Sequence, residues 1–332
     1  MPDSVAARFK GKTVLITGGM GFIGASLAVR LAQAGADVLV VDNMLEPYGA
    51  NLFNIEPVKA MVTVNFCDIR DQNAMDYLVT GREYVFHCAA QVCHLMSLDN
   101  PFIDIDINIK GAAVLMEALK KRNRDAVVVK MGSRGQYGSV QKLPAGEDVL
   151  PDPKGIYEIS LLSAEQIMRS YYKIHGIKSV MLRLTNIYGP RGQMKHNRFG
   201  VANWFMRLAL DGIKIPIYGD GSIQRDFLYI DDCVEAILLA ALNPEMAGEV
   251  YNVGRDDPSS FLELAQVIVE KLGKGGWELT PFSNERKAQE PGHFYSDISK
   301  IKKACGWVPS TSLQDGVAAS LDYYKANKDK YW

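Results

Sequence analysis

The sequence is short of several things, and each shortage excludes something. Its 332 residues include only five cysteines: Cys67, Cys88, Cys93, Cys233 and Cys305. No two stand in a C-x-x-C pair, so neither a zinc knuckle nor a dithiol redox motif is present. An odd, scattered set reads as the reduced core thiols of a cytoplasmic chain, with Cys93 the candidate for reactivity. Excess charge of either sign is lacking too, with 37 Lys plus Arg against 38 Asp plus Glu. Neutralising a phosphate backbone takes a basic face, so no nucleic-acid partner is expected. The longest wholly apolar run, Ala236 to Leu242, falls far below the ~20 residues that span a bilayer. Met1 to Lys12 carries no apolar core of the secretory kind. The chain is therefore expected to be cytoplasmic, with no membrane partner. Internal repeats, low-complexity tracts and metal-ligand spacings are missing as well, and no metal is expected.

What is present is a rhythm. At about 150 residues per domain the length corresponds to roughly two units. In the first, short apolar runs alternate with helical patterns: Thr13–Thr17, Val38–Val41, Val62–Phe66, Tyr84–Cys88, Ala126–Met131 and Val180–Leu184 read as strands. Helices are predicted over Gly21–Ala34 (stopped by Gly35), Ile105–Lys121 and Tyr157–His175. Strands apolar on both faces, separated by helices, imply a buried parallel sheet. The fold class is α/β: a Rossmann-type doubly wound sheet over residues 1–188, with a smaller α/β lobe over 189–332. Some elements of that lobe are expected to return to the first sheet. In it, Phe199–Leu210 reads as a helix, Ile213–Tyr218 and Glu249–Val253 as strands. Asp231 and Ser260 are the expected caps of two further helices.

The strongest local signal is Thr17-Gly18-Gly19-Met20-Gly21-Phe22-Ile23-Gly24, between the first strand and the first helix. Glycines at 18, 21 and 24 let backbone turn tightly and approach a pyrophosphate, while the helix N-terminus offers free N–H groups and a positive dipole end. Asp42, at the tip of the second strand, is placed to accept the adenosine ribose hydroxyls. A carboxylate there repels the extra phosphate of NADP, and Asn43 to Pro47 include no Lys or Arg, so NAD is the expected cofactor. Asp68 with Ile69 could flank the adenine; the plainer alternative for Asp68 is a helix cap.

Beyond the loop and Asp42-Asn43, the chain carries Cys67-Asp68-Ile69, His87-Cys88-Ala89-Ala90-Gln91, Asn108 with Gly111, Gly132-Ser133 with Tyr137-Gly138, and Tyr157. Leu182 to Pro190, Gln224-Arg225-Asp226-Phe227 and Gly306-Trp307-Val308-Pro309 follow. In this order they resemble the extended short-chain dehydrogenases/reductases, specifically the NAD-dependent nucleotide-sugar epimerases and dehydratases. The resemblance implies a seven-stranded NAD-binding sheet, a nucleotide-sugar lobe and a homodimer. It also implies a chemistry in which hydride passes to NAD while a tyrosinate takes a hydroxyl proton. By that resemblance Gly18, Gly21, Phe22, Ile23, Gly24, Asp42, Asn43, Asp68, Ile69, Ala89, Ala90, Gln91 and Tyr157 would hold NAD. Tyr157 and Ser133 would do the proton chemistry, with His94 beside them. Asn186, Arg198 and Arg225 would meet the nucleotide sugar. Arg134 could meet a carboxylate or phosphate of the substrate, or be solvated or ion-paired. Arg225 has the alternative of a salt bridge to Asp226 or Asp231, and the basic run Lys195 to Arg198 could face a diphosphate or only solvent.

Where the family pattern Tyr-x-x-x-Lys places its lysine, this chain has Leu161. Free tyrosine is ionised in only roughly one molecule in a thousand at pH 7, and a neighbouring cation normally corrects that. Three readings stand. Another cation (Lys130, Arg134 or Lys154) and the positive nicotinamide substitute; the reaction needs a weaker base; or the protein binds NAD and nucleotide sugar without turnover. Dehydratases of the family carry a carboxylate just after Ser/Thr, whereas Arg134, Gly135 and Gln136 follow Ser133 here. A C4 epimerase or related sugar oxidoreductase is therefore expected ahead of a 4,6-dehydratase. Glu290-Pro291-Gly292-His293 also departs from the family's Arg-Pro-Gly-Asp. For the dimer, Ile109, Leu115, Leu119, Ile167 and Tyr171 are the expected apolar contacts.

Overall fold

The computed structural model describes residues 5–46, 48–282, 290 and 292–332. Six parallel strands follow one another in the chain: β1 (Thr13–Thr17), β2 (Asp37–Val41), β3 (Val62–Asn65), β4 (Tyr84–His87), β5 (Val127–Ser133) and β6 (Ser179–Leu184). In space they run β3-β2-β1-β4-β5-β6, and strand Val250–Val253 adds to the outer edge of β6 as the seventh. The order reverses between β1 and β4. A crevice opens there, outside the carboxyl ends of the strands, where doubly wound sheets bind ligands.

The alternation of side chains across the pleat divides the core in two. Val14 and Ile16 of β1, with Val38 and Val40 of β2, pack on one face against helices Phe22–Gln33 and Ile230–Leu242. Leu15, Leu39 and Val85 pack on the other, against helix Gly111–Arg122. Both faces are covered, which explains strands that read as unbroken apolar runs; each fully buried Val or Leu contributes about 1.5–3 kcal/mol.

Short pairings assemble the remaining chain. Phe227–Tyr229 runs parallel to Asn186–Tyr188, Trp277–Thr280 runs parallel to Ile215–Tyr218, and Ser259–Ser260 runs antiparallel to Gln224–Arg225. Helices Val201–Leu210 and Leu313–Ala326 both pack on helix Phe261–Leu272. Ser260 caps that last helix through a reciprocal bond with Glu263. The expected Asp231 cap is a correction. Strand Phe227–Tyr229 passes directly into helix Ile230–Leu242, so Tyr229 is the N-cap and Asp231 lies inside the first turn. Its neighbour Asp232 instead accepts from Ser310 and the Thr311 N–H, fastening the segment after Trp307.

One buried asparagine ties distant parts together. The amide of Asn54 donates to the Met20 carbonyl at 3.0 Å and to the Arg191 carbonyl at 3.2 Å, and its oxygen accepts from the Tyr331 hydroxyl at 2.6 Å. No helix among the described residues is long and apolar enough to cross a membrane, and no cluster among them could hold a metal ion.

Candidate active site

The glycine loop is shaped by contacts that leave no room for side chains. Gly18 takes φ +68° and donates its N–H to the Val41 carbonyl at 2.7 Å. A Cβ on Gly18 would lie 2.6 Å from the Ala89 nitrogen, and one on Gly24 would lie 2.3 Å from the Gly18 oxygen. The loop is thus pressed between the ends of β2 and β4, with the first helical turn resting on it. Helix Phe22–Gln33 has Gly21 as its N-cap, no side-chain cap and no acid in its first turn. Its N-terminus opens, through Gly21, Phe22 and Ile23, onto a cavity at the carboxyl ends of the strands. Unassigned N–H donors and a positive dipole end suit an anionic pyrophosphate.

Asp42 lies on the same wall, 8% exposed. Its Oδ2 accepts the Met20 N–H at 3.0 Å and its Oδ1 the Met44 N–H at 2.8 Å. Burial raises its pKa while those two bonds oppose the rise. Each oxygen retains a lone pair for a ribose hydroxyl. Asn43, Asp68 and Ile69 line this end too. Arg70 forks onto Asp68 at 2.8 and 2.7 Å, Asn43 donates to it at 2.8 Å, and the carboxyl is held down to about 2. The helix-cap alternative for Asp68 is overturned, because Asp71 caps helix Gln72–Leu78 through the Ala74 N–H.

At the inner end of the cavity Ser133, Tyr157 and Leu161 come together beside Ala89 and Ala90. Ser133 is fixed by a buried network: its N–H donates to Gln136 Oε1, Gln136 donates to Glu165, and Glu165 pairs with Arg183 at 2.7 Å. The Tyr157 hydroxyl hydrogen-bonds Ser133, which favours its ionised form. Burial and the charge of Glu158 outweigh that bond, so the phenol lies well above its ordinary range. Leu161, 3% exposed, supplies no compensating charge. Lys130 is buried within β5, donates to the Met131 carbonyl at 2.9 Å, and is pushed down to about 8 by burial. Lys154 is exposed. The Asn186 amide nitrogen lies buried without a hydrogen-bond partner, and Asn186 lines the cavity.

Other expected residues stand elsewhere. Gln91 is fully buried outside the cavity wall, donating to the Cys93 carbonyl and to Asp104, each at 3.0 Å. His94 likewise lies off the wall; its Nδ1 meets Glu158 at 2.8 Å, and that carboxylate raises its pKa. Cys93 is buried and caps helix His94–Asp99, and burial pushes its thiol up, away from the reactive thiolate. Arg198 is exposed beside the wall residues Phe199 and Gly200, and Lys195 and Asn197 are exposed with it. Arg225 is 2% exposed and paired to Glu290, with further bonds to the Gln224 and Gly292 carbonyls. Its partner is thus neither Asp226 nor Asp231.

Residues 14–254 match the model of the NAD dependent epimerase/dehydratase family. The chain belongs to that family. It is 32% identical over 95% of its length to a putative UDP-glucose 4-epimerase of Methanocaldococcus jannaschii, 99% of which is covered. It is 29% identical over 95% of its length to a dTDP-glucose 4,6-dehydratase of Streptomyces niveus, 93% of which is covered. The UDP-glucose 4-epimerase of Thermotoga maritima, solved with UDP-glucose, superposes with a TM-score of 0.85 at 30% identity, covering 95% of this chain and 99% of that one. The chain is therefore an NAD-dependent enzyme, and the glycine cradle with Asp42 fits that cofactor.

Two features of this family member escaped the sequence reading of roles. Residues Ile105–Lys110 form a π-helical turn, a geometry frequent at functional sites. It aims Asn108 at the Gln91 N–H (2.9 Å) and at Ser160 (2.8 Å), and Ser160 bonds the Tyr157 carbonyl at 2.7 Å. Asn108 therefore positions the start of the tyrosine helix. Gly111 follows because a Cβ there would lie 2.4 Å from Ile69 Cδ1. An asparagine inside an otherwise apolar helical pattern was the available signal.

Proposed function

We propose that this family member is a nucleotide-sugar enzyme, a C4 epimerase or a related sugar oxidoreductase. The observation that carries the reading is the meeting of Ser133 and Tyr157 at the inner end of a cavity that begins at Asp42 and is also lined by Asn186, whose buried amide nitrogen has no partner. The relatives' UDP- and dTDP-sugars support a nucleoside diphosphate sugar as substrate. No carboxylate follows Ser133, which favours epimerisation over water elimination. The binding-only alternative is not favoured, since the relatives are enzymes.

Gly18, Gly21 and Gly24 with the N-terminus of helix Phe22–Gln33 would hold the pyrophosphate, Asp42 the ribose, and Asp68 with Ile69 the adenine side. Bound there, NAD supplies a reversible hydride acceptor and a positive ring charge near the tyrosine. Tyr157 Oη takes the proton of the sugar hydroxyl, and Ser133 Oγ holds the same oxygen through the change from hydroxyl to carbonyl. Asn186, with Arg225 once released from Glu290, would meet the substrate phosphates. Because no lysine stands at 161, Tyr157 ionises with more difficulty than in the usual arrangement. Residues 189–332 would form the substrate lobe.

A homodimer is also proposed, on a revised face. Leu115 and Leu119 are fully buried in the chain's own core and cannot serve as dimer contacts. Leu98, Phe102, Ile105 and Ile159 are exposed apolar side chains, three of them in the helical stretch from His94 to Lys110 and the fourth on helix Ile156–His175. Sedimentation of the native protein at twice the chain mass supports this; a monomer overturns it.

The deciding experiment incubates purified protein, NAD and pairs of C4-epimeric nucleotide sugars and follows interconversion by NMR. Interconversion without loss of water supports epimerisation. A 4-keto-6-deoxy product would transfer the assignment to the dehydratases.

A further inference from the structure

Resting on the nucleotide-sugar reading, the geometry around Ser133 says more about the sugar. Arg134 starts a single 3₁₀ turn, Arg134–Tyr137, which Ser133 and Gln136 cap reciprocally. Its backbone is therefore held as firmly as that of Ser133. The guanidinium lies 5.0 Å from the centre of the Phe294 ring, in the electrostatic company of Arg225, Asp226, Glu290 and Glu158. It lies beyond Ser133 from the cofactor cavity, whose wall includes Ser133 but not Arg134.

Two of the three carboxylates in that neighbourhood are fully engaged, and the third in part. Asp226 accepts from Thr185 and from both the N–H and hydroxyl of Ser296. Glu290 is paired to Arg225. Glu158 gives Oε1 to His94, and its Oε2 is buried without a hydrogen-bond partner. Among the described residues Arg134 has no hydrogen bond and no ion pair; its only close partner is the face of Phe294. A half-buried guanidinium has five donors that no protein acceptor takes, and they are open to an incoming anion. Burial, reinforced by Arg225, holds its pKa down to about 10, so it remains charged at neutral pH and gains from an arriving anion.

We propose that Arg134 receives a carboxylate carried by the sugar ring, so that the preferred substrate is a nucleoside diphosphate sugar acid. The assignment to the sugar rests on Arg134 following Ser133 in the chain, with the neighbouring Arg225 left to the diphosphate. The planar fork of guanidinium matches both oxygens of a carboxylate.

The test measures binding to the NAD-loaded protein by calorimetry. Its ligands are UDP, UDP-glucose and UDP-glucuronic acid, with GDP, GDP-mannose and GDP-mannuronic acid as a second set. The native protein should bind the acid of one set about ten- to a hundredfold more tightly than its neutral partner, the range of one charge-assisted pair. In Arg134→Ala that ratio should fall to near one; in Arg134→Lys, which keeps charge without the fork, it should be intermediate. Melting curves establish that both variants fold. A neutral sugar bound as tightly as the acid by the native protein overturns the proposal and leaves the nucleotide-sugar reading intact. Equal weakening of UDP, UDP-glucose and UDP-glucuronic acid in Arg134→Ala also overturns it, since Arg134 would then hold the diphosphate. Failure of both sets to bind at all removes the nucleotide-sugar reading, and this inference with it.

Discussion

The two ends of the cavity are built on opposite plans. At the adenosine end, the carboxylates are already held by the protein: Asp42 has two backbone donors and Asp68 has Arg70 and Asn43. The shape there is set by backbone, with glycines where a Cβ would meet main-chain atoms. At the tyrosine end several groups wait. The Asn186 amide nitrogen has no partner, Tyr157 is held protonated beside acidic neighbours, and Arg134, next in the chain to Ser133 though off the wall, has only a ring. A site that is complete before its ligand arrives recognises one shape; one with unmet donors is finished by its ligand. The first suits a cofactor common to a family, and the second suits the substrate that distinguishes one member.

Changes that attack this contrast should have effects of graded size. Tyr157→Phe should lower turnover about 10²- to 10⁴-fold while NAD affinity changes only a few fold, because proton transfer is lost and the cradle is not. Near-native turnover would remove Tyr157 from the mechanism. Gly24→Val should do the reverse, weakening NAD at least about a hundredfold in fluorescence titration, since the added Cβ meets the Gly18 carbonyl. Retained NAD affinity would mean that the loop is not the rigid cradle described. Leu161→Lys should have a smaller effect, visible in the pH profile of kcat/KM. The working form of Tyr157 is the ionised one, and its pKa is raised, so native activity should climb with pH on a limb displaced to the alkaline side. A lysine at 161 favours ionisation and should move that limb down by about one unit, roughly tenfold in rate at neutral pH. An unmoved limb would show that another group titrates.

Legibility in the sequence followed the same division. The glycine loop, the first helix and Asp42 fall within about thirty residues of one another, and each is fixed by a local requirement for small size, capping or charge. Strand–helix alternation likewise carried the parallel sheet. What escaped depends on chain brought from afar. Arg225 meets Glu290 across 65 residues, and Asp232 meets Ser310 across 78. Asp231 misled because the strand Phe227–Tyr229 runs straight into the helix, which moves the cap two positions back, from Asp231 to Tyr229. Leu115 and Leu119 misled because a helix covered on more than one side has more than one apolar stripe, and periodicity does not say which stripe meets a partner.

Asn54 gives the molecule a timetable. The glycine motif leaves the ribosome well before its last support, for the loop's Met20 carbonyl is held by an amide whose own oxygen is capped by Tyr331, 277 positions further on. The same amide holds Arg191, so a nascent chain ending before that point has the recognisable nucleotide motif without the clasp around it. The most easily read part of this protein is made before the contacts that steady it, and the last of those follows it by hundreds of residues.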